Sequence, residues 1–222
     1  MSAPRKDDKR LGFERLRWGE RLWPSLVALL LGALVIGTIV RSVSGSPGVV
    51  PLVSGRLPGE LRGPVPWPSN TAALRARLQA LRLPALAREG TALHIHAHLD
   101  VYVDGRRELV PAGIGIATDG TFISPLHTHD DSGVIHVESP QVRAFTLGQF
   151  FGVWGVRLTP RCLAGYCSST GKRVWVFVDG RRISGDPRLV VLAEHEEIVV
   201  AYDPRGELPR PIPSGYDFAA GL

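Results

Sequence analysis

From Leu93 to Val103 apolar and polar residues alternate without a break. Leu93, Ile95, Ala97, Leu99, Val101 and Val103 hold the odd positions, and His94, His96, His98, Asp100 and Tyr102 the even ones. A period of two belongs to a strand that buries one face and presents the other. Asp104-Gly105 follows, the pair preferred in a type I′ turn, so the chain reverses there and is expected to return through Glu108 to Ile116 as the second arm of a hairpin. At an offset of 75 the pattern recurs: VWVFVDGRRIS over 174–184 repeats LDVYVDGRREL over 99–109, with V-x-V-D-G-R-R in common. Two similar hairpins follow from this. The second lacks histidine, so the shared part is scaffold and the His triplet belongs to the first copy alone.

Around the hairpins, Phe145 to Trp154 reads as a short helix packed on the sheet, with Thr146 as its cap and Phe150, Phe151 and Trp154 at helical spacing. A second short helix is expected after the capping residues Ser69, Asn70 and Thr71. Its Leu74, Leu78 and Leu81 recur at helical spacing until Pro84, and Arg75, Arg77 and Arg82 are assigned to its solvated face. Strands over 189–192 and 197–202 complete the unit. The fold class is mainly β (α+β): an antiparallel sheet or sandwich, or a grasp-like sheet, with one or two short helices. The 25 Gly and 18 Pro argue against a helical bundle, and 44% apolar with 21% charged residues excludes wholesale disorder.

Leu22 to Val40 is a run of nineteen uncharged residues between Arg21 and Arg41. At 1.5 Å per residue it reaches roughly 28 Å, about the hydrocarbon thickness of a bilayer, and it reads as a single transmembrane helix in contact with membrane lipid. Pro24 falls in its first turn, and Trp18 and Trp23 sit where interfacial anchors belong. Residues 1–21 carry seven Lys or Arg against four Asp or Glu, which places this tail in the cytoplasm and everything after the helix outside. The competing reading is a cleaved signal peptide with Ser44 and Gly45 near the cut. The length of the apolar run and the position of Arg41 favour an uncleaved anchor. Residues 41–69, with six prolines from Pro47 to Pro68, read as a stalk, 70–203 as the extracytoplasmic domain, and 204–222 as a Pro-rich tail lying extended on the surface. More than half of the +5 charge sits in the first 21 residues, and the rest of the chain has no Lys/Arg block, so nucleic acid is excluded as a partner.

Six of the seven histidines lie in two groups: His94, His96 and His98 on the first strand, and His127, His129 and His136 further on. Residues i and i+2 of a strand face the same way about 6.5 to 7 Å apart, which lets two imidazoles meet on one ion; the ends of the triplet, about 13 Å apart, cannot both do so. One terminal member is therefore dispensable. In HTHDDSGVIHVE, Asp130 to Gly133 form a four-residue loop, and pairing His129 with Val134 sets His127 opposite His136. His127, His129, His136 and Glu138 then share one surface, which the first hairpin completes if it lies alongside. Imidazole with carboxylate suits a divalent metal ion, zinc first and copper(II) second; with Met1 the only methionine, a thioether Cu⁺ carrier is disfavoured. His195 has no companion and reads as solvated.

Cys162 and Cys167, with four residues between them and outside the membrane, are expected to form a structural disulfide, because the spacing exceeds that of C-x-x-C and Pro160 and Gly165 mark a loop.

The stretch from Glu89 to Gly155, through EGTALHIHAHLDVYVDG, PLHTHDDSGVIHVESP and FTLGQFFGVWG, resembles a recurrent domain of membrane-anchored or secreted bacterial proteins for which no activity is assigned. The resemblance covers about a third of the chain and implies an extracytoplasmic bacterial protein. The chemistry therefore rests on the residues. They suit metal buffering or delivery, or a metal-dependent enzyme with three His ligands and Asp130, Asp131 or Glu138 as base, or an interaction face without metal. The chain has no nucleophile elbow, phosphate loop or HExxH, which weighs toward binding over catalysis.

Overall fold

The computed structural model describes residues 55–222; the basic tail 1–21, the apolar segment 22–40 and the stalk up to residue 54 lie outside the described residues. Among the described residues no helix is long and apolar enough to cross a membrane. The elements are α1 (Leu74–Leu81), β1 (Leu93–Val103), β2 (Arg106–Glu108), β3 (Leu126–His127), β4 (Val134–Ser139), α2 (Leu147–Trp154), β5 (Cys162–Leu163), β6 (Tyr166–Cys167), β7 (Lys172–Val178), β8 (Arg181–Arg182) and β9 (Glu197–Pro204).

Seven strands form one sheet in the order β3-β4-β1-β9-β7-β8, with β2 also on β1. The class is the mainly β, α+β one expected, but the sheet is mixed: β9 runs parallel to β1 and antiparallel to β7. It separates the two repeated hairpins and joins them in one row, Val101 against Val200 and Val200 against Val176. Both turns are of the expected kind. Asp104 and Gly105 have φ of 50° and 75°, and Asp179 and Gly180 of 48° and 72°, the left-handed pair that a type I′ turn requires. The return arm is shorter than expected, because β2 ends at Glu108: β4 takes the same edge of β1 from Leu93 to His98. The segment expected as a strand at 189–192 is a 3₁₀ turn over Pro187–Leu189 and a single bridge from Val191 to Thr146.

The odd positions of β1 join Ile135, Val137, Ile198 and Val200 in a core closed by Leu74, Leu78, Phe150, Phe151 and Trp154 of the helices. Helix α2 starts with the capping box its sequence announces: Thr146 accepts from Gln149 N, and Gln149 accepts from Thr146 N. Helix α1 departs from expectation twice. Its N-cap is Ala73 with no side-chain cap, since Asn70 takes a left-handed conformation and sends its Nδ2 to the Gly59 carbonyl. Arg77, assigned to the solvated face, is fully buried, donating to the carbonyls of Val153, Pro58 and Asn70. Burial lowers its pKa to about 10, so it stays charged while it ties the α1 turn to the end of α2.

Residues 55–69, read as stalk from their prolines, instead pack on the domain. Trp67 is buried edge-on to Trp154, Trp154 donates to the Pro68 carbonyl, and Leu61 bridges to Val156. A proline-rich composition forbids regular structure but not the docking of a tryptophan. Cys162 and Cys167 form the expected disulfide, facing each other across the β5–β6 ribbon.

The opposite face of the sheet carries a second, smaller apolar cluster of Trp175, Phe177, Val199 and Ala201, against which Leu208 and Ile212 of the C-terminal segment pack. The even residues of β1, with His136 and Glu138 of β4, continue this face.

Candidate metal centre

Strand β4 lies between β3 and β1, and its register decides what its even residues meet. His136 pairs with His127 on one side and His96 on the other, and Glu138 pairs with His94. The expected opposition of His127 and His136 is present, and the first hairpin lies alongside with its histidines in the same rows. Cβ atoms so paired stand about 4.5 to 5.5 Å apart on one face, which makes three imidazoles across three strands a continuous ladder. Their ring centroids are 4.6 Å apart for His96 and His136 and 5.2 Å for His127 and His136.

Two sets of donors could each hold a metal ion: His94, His96, His136 and Glu138, and His127, His129, His136 and Glu138. Within each set the ligating atoms lie within 4.8 Å of one another. Two donors held at about 2.0–2.1 Å by one tetrahedral ion stand about 3.3–3.4 Å apart. Several contacts fall close to that: His94 Nε2 to Glu138 Oε1 at 3.4 Å, His136 Nδ1 to the same oxygen at 3.1 Å, and His127 Nε2 to His129 Nε2 at 3.1 Å.

The state of the donors fits ligation. His127, fully buried, meets the Ser124 carbonyl at 3.0 Å with Nδ1; a carbonyl only accepts, so the proton is on Nδ1 and the Nε2 lone pair faces the cluster. Burial, reinforced by His129 and His136, pushes its pKa down to about 3. The same causes, burial and then His129 and His96, hold His136 near 4, and burial followed by His94 lowers His96. Burial and then the Glu89 carboxylate raise Glu138. His96 Nε2 and Glu138 Oε2 are buried with no hydrogen-bond partner among the described residues, and such atoms call for an explanation. His94 and His129 are half exposed, so the cluster reaches solvent at its two ends.

The third member of the triplet goes elsewhere. His98 Nδ1 meets Glu197 Oε2 at 2.6 Å, its Nε2 meets the Ser132 carbonyl at 2.9 Å, and Tyr216 stacks on its ring at 3.9 Å. With Asp100 and Glu197 it makes a separate group, but both ring nitrogens are engaged and Arg107 pairs with Asp100. The expectation that one end of the triplet is dispensable therefore falls on His98. Burial raises Glu197, and the bond to His98 opposes that rise. Gly133 permits the contact, since a Cβ there would lie 2.9 Å from His98 Nε2. Asp130, considered as a base, instead accepts from Ser132 N and Oγ and shapes the exposed loop. His195 is exposed, as read, although Phe218 stacks on its ring and its Nε2 meets the Leu222 main-chain oxygen at 3.0 Å.

One residue of the centre escapes the sequence reading. Glu89 Oε1 lies 3.2 Å from His129 Nε2 and 3.9 Å from His127 Nε2. Gly90 brings it there, because its backbone lies so close to β4 that a Cβ would stand 2.1 Å from Ser139 C. The only sequence signal was a carboxylate beside a glycine just ahead of the His strand, which no ligand spacing singles out. Cavities of about 310 and 440 Å³ lie away from these residues, at the start of α2 and beside β7.

No protein-family model, curated protein or solved structure matches this chain.

Proposed function

We propose that this is an extracytoplasmic protein, held to the membrane by the 22–40 helix, that binds a divalent transition metal through the histidines of β1, β3 and β4 for buffering or delivery. Zinc ranks first and copper(II) second, because the donors are imidazole and carboxylate with no thiolate or thioether among them. One observation carries the reading: His96 Nε2 and Glu138 Oε2 are buried and unpartnered inside a set of donors already at ligand spacing. Without a cation such atoms are costly, at about 1–3 kcal/mol each. The bacterial, extracytoplasmic setting implied by the resemblance and the oxidised cysteine pair support the location.

Competition titration of the full-length chain with Zn²⁺ and Cu²⁺ tests this. His136→Ala should weaken binding by more than about 100-fold, since ligands outweigh the 10- to 100-fold typical of their supporting partners; His195→Ala should leave it unchanged. A wild-type chain that takes up neither ion refutes the proposal. Carbonate extraction tests the anchor separately: the intact chain stays with the membrane, whereas a soluble chain beginning near Ser46 means cleavage.

A further inference from the structure

The geometry points to two metal ions in this centre, bridged by the Glu138 carboxylate; this rests on the metal-binding reading above and extends it. A tetrahedral ion of the zinc type takes four ligands. The cluster offers more, with five imidazoles from His94, His96, His127, His129 and His136 and two carboxylates from Glu89 and Glu138. The surplus is divided by the fold. The β1 histidines fall in one set and the β3 histidines in the other, and only the β4 residues between them, His136 and Glu138, belong to both.

An ion on the β1 side takes His94, His96 and His136 with one oxygen of Glu138. An ion on the β3 side takes His127, His129 and Glu89 with Glu138 again. Each ion is then four-coordinate and no donor is left over. Glu138 suits the shared place. Its Oε1 lies 3.4 Å from His94 Nε2 and 3.9 Å from His127 Nε2, reaching both sets, while its Oε2 is buried with no partner. A single ion on either side would leave the other set's buried imidazole, His96 or His127, without a ligand role. Bridged pairs of this kind hold their ions about 3.5–4 Å apart, which the strand spacing of about 4.8 Å accommodates.

The test is the number of ions per full-length chain, read by native mass spectrometry and elemental analysis after loading with Zn²⁺ alone and removing excess. Two ions per wild-type chain are expected, and one per His129→Ala/Glu89→Gln chain, whose altered side chains are each about half exposed and do not disturb the core. In a chain loaded with Cu²⁺ the two spins should couple, so the electron paramagnetic resonance intensity falls short of the copper present. This readout needs no variant. One ion per wild-type chain, or two uncoupled Cu²⁺ ions, overturns the bridged pair while leaving metal binding in place. Two ions retained in the double variant place the second ion elsewhere and overturn it also. No ion at all overturns both this inference and the function on which it rests.

Discussion

The two D-G hairpins have the same heptapeptide core, the same left-handed turn residues and opposite neighbours. Strand β1 of the first continues eight residues before its shared V-x-V and meets β4 along that extension, whereas the positions of the second copy that correspond to its three histidines are Ser169, Gly171 and Arg173, and β8 is the last strand on that side among the described residues. On the helix-covered face the two copies are interchangeable, with Val101 and Val176 in one row through Val200. On the other face they diverge: the first copy carries imidazoles and carboxylates, and the second an apolar cluster of Trp175 and Phe177 under Leu208 and Ile212. A local motif dictates a turn; what a strand then displays depends on which strand reaches its free edge.

The largest expected asymmetry is in acid. In the metal-free chain His127 and His136 are held neutral, with pKa values of about 3 and about 4, below the ordinary 6.5. Between these values and 6.5 the unfolded chain binds more protons than the folded one, so stability present above pH 6.5 is lost as pH falls toward 4. Each unit of displacement is about 1.4 kcal/mol, so the loss amounts to several kcal/mol. Thermal unfolding at pH 7 and pH 4.5 measures it, and tryptophan signals from the second copy should report the same loss if the sheet unfolds as one unit. Burial raises the carboxyls of Glu138, Glu197 and Asp203, which opposes this loss, so the part due to the two rings is read as the difference between wild type and a His127→Gln/His136→Gln chain; the same pH dependence in both contradicts the burial of these rings.

Next in size is His98→Ala. It strips a buried carboxylate, Glu197, of its partner, and removing one member of a buried pair costs about 3–5 kcal/mol. Denaturant unfolding should show that loss while the number of metal ions bound stays as in the wild type. Weakened metal binding with unchanged stability would return His98 to the centre.

Reduction of the Cys162–Cys167 disulfide should cost roughly 2 kcal/mol, the chain-entropy value for so short a loop, and again leave metal content unchanged. Alkylation before and after reductant checks the starting state: thiols reactive without reductant would mean the bond is absent in the protein as isolated.

The smallest effect sharpens the comparison most. Alanine at Gly105 or Gly180 must adopt a positive φ, which costs about 1–2 kcal/mol. At Gly105 the nearest atom to an added Cβ is 3.8 Å away, but at Gly180 it would meet Ser214 Cβ at 2.9 Å. Gly180→Ala should therefore destabilise more than Gly105→Ala in parallel melts. Equal losses would show that the C-terminal segment does not hold to the second turn.

Much of the centre was legible because it is built from short-range rules. Alternation over Leu93–Val103 put the histidines on one face, and the four-residue loop after His129 set the register that brings His127 to His136. Strand rise alone implied that the two ends of the triplet cannot meet one ion, and left open which of His94 and His98 falls away. Arg77 and Glu89 were not legible. Arg77 sits where local pattern assigns a solvated face and is drawn inward by the Val153 carbonyl, whereas Glu89 stays half exposed but is set against His129 by the approach of Gly90 to Ser139, a contact distant in sequence.

By itself the sequence determined the two turns, the strands that lead into them, the α2 capping box, the cysteine pair and the face on which the imidazoles lie, because each depends on residues within a few positions of one another. The tertiary structure alone decided that β9 runs parallel to β1, that β4 rather than the return arm takes the histidine edge, and that His98 pairs with Glu197 instead of joining its neighbours. Those outcomes turn on which strand fills an open edge. That choice is made by burial across segments up to a hundred residues apart, which no local period or propensity records.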